Sequence, residues 1–303
     1  MPKKILLLGR DGQLGFELRR SLAPLGEVAA AGRRDCDLTH PLQLARLVRR
    51  EKPDVVVNAA AFTAVERAEE DPVRAMRING EAAGELSALA ASRGALIVHY
   101  SSDYVFDGAK PGPYAEDDAP APLNAYGRSK LAGERAVQAA NPAHLVFRTS
   151  WVYGVVGDNS LKTVLTALRQ ARALRVVDDQ RGAPTGAAYI ADATALAVAR
   201  YLENGGDGFP FGLYHLAAAG AASWHEYACF IAAQARLAGL PVDSRPQDIE
   251  PVPSSRYPAA ARRPSNSCLD TRLLARVFGI HAPPWQEGVA HALATLAGCR
   301  SLG

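Results

Sequence analysis

The chain predicts an α/β fold, a doubly wound parallel sheet with a smaller C-terminal lobe, on three observations. Short unbroken apolar runs alternate with longer Ala-, Leu- and Glu-rich stretches through the first half. A glycine loop, Gly9-x-x-Gly12-x-x-Gly15, follows the first run directly and opens a helix, and after Trp151 the alternation loosens. Strands that are apolar on both faces must be covered on both faces, which requires a parallel sheet between two layers of helices. With 303 residues, 48% of them hydrophobic, the chain is large enough to bury such a core.

The elements follow in order. KKILLLG is the first strand and QLGFELRRSLAPL the helix after the glycine loop. EVAAAG is a weaker second strand ending at Arg33 and Arg34, DVVVNAA the third, ALIVHYSS the fourth and HLVFRTS the fifth. Between the last two, LNAYGRSKLAGE reads as helical. Beyond Trp151 the pattern gives a helix over about 159–173, a strand at LRVVDD, a loop at QRGAPTG, a helix over 189–202 and a glycine-rich loop over 204–212. The Pro-, Ser- and Arg-rich stretch 241–267 reads as irregular. Right-handed crossovers place ligands beyond the carboxyl ends of the strands, the Rossmann arrangement, and every motif below falls at such an end.

Composition removes several classes of function. A formal net charge of +3 with dispersed Lys and Arg does not fit a nucleic-acid or anionic-membrane surface. Cys36, Cys229, Cys268 and Cys299 lack any Cys-x-x-Cys spacing, so reduced thiols are expected, and the scattered histidines give no metal site. No run approaches eighteen apolar residues, and the apolar start is too short for a secretory leader. A cytoplasmic enzyme is the expectation.

The glycine loop lets the backbone turn tightly and lets a pyrophosphate reach a helix N-terminus, where free N–H groups and the helix dipole favour negative charge. Arg33 and Arg34 stand where a lone acid would accept from an adenosine 2'-hydroxyl. Cations there suit a 2'-phosphate, which favours NADPH and leaves NADH possible, with Asp35 or Asp37 nearby for a ribose or adenine. Asn58-Ala59-Ala60-Ala61 ends the third strand with small side chains, and Asn58 serves equally as a backbone cap. His99 reads as an interior histidine. Ser102 ends the fourth strand, placing a hydroxyl at the sheet rim. Tyr126 and Lys130, four residues apart on one helix, share a face. A phenol titrates near pH 10, so Lys130 is expected to favour the phenolate. Together these residues predict hydride transfer from nicotinamide C4 to a ketone, with Tyr126 protonating the oxygen, Ser102 holding it and Lys130 also bonding the nicotinamide ribose.

Taken in order, the glycine loop, NAAAFTAVERAE, HYSSDYVFDG, LNAYGRSKLAGE, RTSWVYG, DDQRGAPTG and ARRPSNSCLDT closely resemble the extended short-chain dehydrogenase/reductases, and among them the dTDP-4-dehydrorhamnose reductase family. The resemblance spans nearly the whole chain. It implies a dinucleotide-binding domain over 1–150, with a contribution from about 180–220, and a mainly substrate-binding lobe over 151–303. The implied activity is NAD(P)H-dependent reduction of the C4 keto group of dTDP-4-dehydro-6-deoxy-L-mannose to dTDP-L-rhamnose. To the cofactor contacts read from the glycine loop and the end of the second strand, Gly9, Gly12, Gly15 and Arg33, the resemblance adds Gln13, Leu14, Asp37, Leu38, Ala61, Phe62, Thr63, Tyr100 and Lys130. Ser102, Asp103, Tyr126 and Trp151 would face the sugar nucleotide, the one small-molecule partner expected.

Ser102 stands where the family commonly has Thr, which keeps the hydroxyl. Ala188 stands where some members carry a Glu that helps bind magnesium between subunits, so no metal-bridged dimer is expected and a metal-free homodimer stays open. Two rival readings stand beside it. An epimerase or dehydratase of the same superfamily would follow the rim hydroxyl with Asp-Glu, whereas here Asp103 and Tyr104 follow Ser102. A non-catalytic nucleotide-binding regulatory subunit need not keep Ser102, Tyr126 and Lys130 together.

Overall fold

The computed structural model describes residues 2–170, 174–257 and 259–299. β1 (Lys4–Leu8) leads through the glycine loop into α1 (Gln13–Leu22) and β2 (Glu27–Ala31), and α2 (Pro41–Glu51) leads to β3 (Val55–Asn58). Short helices α3 (Val65–Glu70) and α4 (Pro72–Met76), a π-helical turn over Arg77–Glu81 and α5 (Ala82–Ala91) precede β4 (Leu96–Ser102). Helix α6 (Ala125–Ala140) then leads to β5 (His144–Thr149). Beyond it come β6 (Val152–Tyr153), α7 (Ser160–Gln170), β7 (Leu174–Val177), β8 (Arg181–Gly182), β9 (Thr185–Gly186), α8 (Ala187–Asn204) and β10 (Gly212–His215). The chain closes with β11 (Ala222–Ser223), α9 (Trp224–Leu237), β12 (Ile249–Val252), α10 (Arg272–Phe278) and α11 (Trp285–Gly298).

Six strands form one parallel sheet in the order β2-β1-β3-β4-β5-β10. The alternation of side chains explains the unbroken apolar runs. Ile5, Leu7, Val55, Val57, Val98 and Phe147 point to one face, packed by α1 and α8, while Leu6, Leu8, Val56, Ile97 and Val146 point to the other, packed by α2, α5 and α6. Each face is a closed apolar layer, so neither tolerates the polar alternation of a solvent-facing sheet. This is the doubly wound architecture the apolar pattern predicts.

Strand order reverses at β1, with β2 on one side and β3 on the other, and the crevice opens at their carboxyl ends. Gly9 sits there at φ +85°, and a Cβ on it would lie 2.7 Å from the Ala60 amide nitrogen. Only glycine turns so closely against the end of β3. In register, Asn58 pairs with His99, so β4 runs on past the end of β3 and carries Tyr100, Ser101 and Ser102 out over the crevice.

A second apolar cluster gathers α7, α9 and α11 around Tyr227, Leu165, Ile231, Trp285 and Val289. Segments read as loop or irregular also hold strands, β8 and β9 within QRGAPTG among them. Gly212–His215 at the end of the glycine-rich stretch extends the main sheet beside β5, and Ile249–Val252 pairs in parallel with β7 despite Pro251. Both strands are four residues long and rest on an edge supplied from far away in sequence, which no local pattern announces. Helix α7 is described as far as Gln170, and the last residues of the helix expected to 173 lie outside the described residues. No helix among the described residues is long and apolar enough to cross a membrane.

Candidate active site

The crevice deepens into a cleft of about 900 Å³ lined from the glycine loop at one end to Trp151 and Trp224 at the other. The first wall is the turn after β1. Gly12 caps α1 without any side-chain bond, so the first N–H groups of the helix face the cleft uncovered. A Cβ on Gly12 meets nothing nearer than the Gly9 carbonyl at 3.4 Å, so any side chain there would fill the cleft instead. Gln13 and Leu14 line the same wall, and the Gln13 Oε1 is buried with no partner. Gly15 does not line the cleft: a Cβ on it would fall 2.0 Å from the Gly9 carbonyl oxygen. Its work is steric, letting the loop lie on the helix, which corrects the expectation that Gly15 contacts the cofactor.

The other residues singled out from sequence converge on this one cleft. Arg33, Asp37 and Leu38 line it beyond β2, and Ala61, Phe62 and Thr63 line it beyond β3. The Phe62 backbone is clamped by a residue the sequence reading missed, Asn79, whose Oδ1 accepts from Phe62 N at 2.8 Å and whose Nδ2 donates to Phe62 O at 2.9 Å. Asn79 is only 1% exposed, lying in the π-helical turn, and its isolated Asn gave no signal. Tyr100 contributes backbone: its hydroxyl bonds Thr194 at 2.8 Å inside the core, whereas its carbonyl accepts from Lys130 at 2.5 Å. Asn58 both caps Ala60 and donates to His99 Nδ1 at 3.2 Å, and burial holds the His99 ring neutral.

Tyr126 and Lys130 lie on the first two turns of α6, which Asn124 caps by accepting from Gly127 N at 2.7 Å. Both side chains reach the cleft beside Ser102. The Tyr126 phenol interacts with the Ser102 hydroxyl, and the Tyr104 ring meets the Tyr126 ring edge-on at 6.0 Å. Burial pushes the Tyr126 phenol up to about 12, the Ser102 bond opposing and the Asp103 charge adding. Lys130 is itself pushed down to about 8 by burial, with Glu134 opposing. The expected phenolate is therefore corrected: desolvation dominates at the phenol, the Lys130 ammonium donates to the Tyr100 carbonyl, and Tyr126 stands as a neutral phenol.

Asp103 is 2% exposed and does not present a free carboxylate. Its Oδ1 accepts from Ser102 Oγ at 2.9 Å and its Oδ2 from Ser150 Oγ at 2.8 Å. Ser102 in turn accepts from Tyr104 N at 3.1 Å. Burial pushes Asp103 up to about 6, against the hydroxyls of Ser267, Ser150 and Ser102. Its folded value lies above the usual 3.8, so folding binds a proton: the contribution is fully present below 3.8 and lost as pH rises through about 6. Asp103→Asn has no such loss. Its urea midpoint is expected to gain on the wild type between about pH 4 and about pH 7, and a constant separation across that window would contradict the assignment.

At the far end Trp151 follows β5 at φ +44°, a left-handed conformation unusual for a bulky residue. Its ring stacks on Trp224, which also lines the cleft and which the sequence reading passed over. The Ser223-x-x-Glu226 capping box before α9 was the available signal for the helix start, though not for the cleft. Among the described residues no group of three or more His, Cys, Asp or Glu side chains is placed to hold a metal ion.

Comparison with known proteins agrees with this geometry. Residues 3–297 match the family model described as RmlD substrate binding domain. The chain is 48% identical to a dTDP-4-dehydrorhamnose reductase of Burkholderia thailandensis, over 94% of this chain and 96% of that protein. A dTDP-4-dehydrorhamnose reductase from Clostridium acetobutylicum superposes with a TM-score of 0.85 at 35% identity, covering 97% of this chain and 99% of that one. The corresponding Bacillus anthracis enzyme, crystallised with NADP, gives a TM-score of 0.85 at 30% identity, covering 97% of this chain and all of that one.

Proposed function

Because the chain belongs to the RmlD substrate binding domain family, with dTDP-4-dehydrorhamnose reductases as relatives along its whole length, we infer that it is an NAD(P)H-dependent oxidoreductase. It reduces the C4 keto group of dTDP-4-dehydro-6-deoxy-L-mannose to dTDP-L-rhamnose. The observation that carries this reading is the convergence of Ser102, Tyr126 and Lys130 at the end of β4, in the same cleft as the uncapped N-terminus of α1.

The residues fit a dinucleotide. The uncapped first turn of α1 and the unpartnered Gln13 Oε1 suit a pyrophosphate and its ribose, Ala61 to Thr63 give a flat wall, and Lys130 would bond the nicotinamide ribose. Bound there, a reduced nicotinamide supplies the hydride. The protein's own part is the proton and the alignment. Tyr126, protonated at neutral pH, donates to the C4 oxygen as charge develops on it, and a buried phenol gives up its proton only to so strong a base. Ser102, held by Asp103 and the Tyr104 amide, fixes where the phenol points. Residues 1–150, with about 180–220, serve the coenzyme, and the rest chiefly the sugar nucleotide. We place the enzyme in the cytoplasm, where a nucleotide sugar and reduced coenzyme are both at hand.

Mixing the purified protein with NADPH and dTDP-4-dehydro-6-deoxy-L-mannose is expected to consume the reduced-nicotinamide absorbance in proportion to sugar reduced. No consumption with either coenzyme would contradict the reading.

Arg33 and Arg34 are exposed beside a second hollow lined also by Arg10, Asp11 and Asp37. Arg10 is engaged by Asp35 at 3.0 Å, and of Arg10, Arg33 and Arg34 it is Arg33 that also lines the main cleft. Arg33→Ala is expected to weaken NADPH about tenfold and NADH less than about threefold, since only the former has a 2'-phosphate to lose. Coenzyme titration by fluorescence checks this; equal losses for both would remove the role.

A further inference from the structure

Trp151 occupies a conformation that costs a bulky side chain about 1–3 kcal/mol and persists only where neighbours over-determine it. Three neighbours do so. Its carbonyl accepts from Thr185 N at 3.2 Å, pinning the backbone to β9. Its indole edge presses on Gly182, where a Cβ would sit 2.5 Å from Trp151 Nε1 and Cε2. Its face stacks on Trp224 with centroids 3.6 Å apart and planes 5° from parallel.

Gly182 and Trp224 are themselves held together. β8 and β11 pair antiparallel, Gly182 opposite Ala222 and Arg181 opposite Ser223, so the residue before Trp224 is fixed against the strand carrying Gly182. Ser223 is further tied by its reciprocal bonds with Glu226, at 2.7 and 3.0 Å, and by donating to Asp178 at 2.5 Å. The clamp therefore comes from the C-terminal part of the chain, whereas Trp151 leaves the main sheet directly after Ser150, the donor to Asp103. Both indoles line the cleft.

Building on the reductase reading, we propose that Trp224 is a positioning residue: by stacking on Trp151 against Gly182 it holds the Trp151 indole as a preformed wall for the sugar nucleotide. The proton chemistry at Tyr126 is left to other groups. A rigid wall spares the substrate the ordering of a large side chain, so its loss appears in substrate binding before it appears in turnover.

Trp224→Ala removes the stack and is expected to raise KM for the sugar nucleotide about tenfold, the upper range of an aromatic pair, with kcat the lesser change. Parallel indoles in contact couple their transitions, so the circular dichroism of the pair should collapse in the same variant. Trp224→Phe keeps an aromatic face and is expected to recover KM to within about threefold of wild type. Gly182→Ala drives a methyl into the indole and should raise KM through the opposite edge. A wild-type KM in Trp224→Ala, with only thermal stability lowered, would show packing alone and overturn the proposal. Should Trp224→Ala not fold, Gly182→Ala decides, and a wild-type spectrum and KM there overturn it. If the wild type itself does not turn over the sugar nucleotide, the reductase reading fails; equilibrium binding of dTDP to the same variants then tests the wall separately.

Discussion

Tyr126→Phe is expected to lower kcat at least about a hundredfold while coenzyme affinity stays within about threefold of wild type. The phenol is the one proton donor that lies on the first turns of α6, interacts with Ser102 and stays protonated at neutral pH. Removing its oxygen deletes the transferable proton and leaves the ring, its edge contact with Tyr104 and the backbone of α6 in place. Steady-state kinetics and coenzyme titration on the same preparation check the two halves. Near-normal turnover would assign the proton to another group, and joint loss of turnover and coenzyme binding would mean that the ring, rather than the proton, was needed.

The largest effect on stability is expected at Arg148→Ala. Arg148 and Glu134 form a two-bond pair, Nε to Oε1 and Nη2 to Oε2, both 2.8 Å, with side chains only 5% and 2% exposed. The guanidinium also lies over the Phe106 ring at 5.0 Å. Removing it strands a carboxylate in the core, which costs about 3–5 kcal/mol, a large share of the roughly 5–15 kcal/mol that stabilises a typical domain. Urea denaturation measures this, and a loss below about 1 kcal/mol would show that water reaches Glu134. Replacing both partners, Glu134→Leu with Arg148→Met, is expected to recover most of the stability, because a matched apolar pair leaves no charge behind. It should not recover full activity at neutral pH. Glu134 is the group that opposes the burial of Lys130, so without it the ammonium, already pushed down to about 8, titrates lower still.

That coupling marks the boundary of what the amino-acid order makes legible. The central strands were readable because both faces are buried, and Gly9 was readable because only glycine turns at φ +85° against the next strand. Tyr126 and Lys130 were readable because helical spacing alone puts them together. The sense of their interaction was not, since it depends on desolvation and on the Tyr100 carbonyl, thirty residues away, accepting a hydrogen bond from Lys130. Asp103 stood next to Ser102 in sequence, yet its role as the acceptor that holds Ser102 needed Ser150 from β5's end to become visible. Trp224 and Asn79 were invisible for the same reason: each acts on a residue brought to it by the fold, Trp151 and Phe62. β10 and β12 escaped because their partners, rather than their own four residues, make them strands.

The most direct test follows the transferred hydrogen. Reduction of dTDP-4-dehydro-6-deoxy-L-mannose with NADPH carrying deuterium at nicotinamide C4, read by mass and NMR, is expected to give dTDP-L-rhamnose with one deuterium, bonded to sugar C4. Product without deuterium from either face of the ring, or with the label at another sugar carbon, would contradict hydride delivery to the C4 ketone in this cleft.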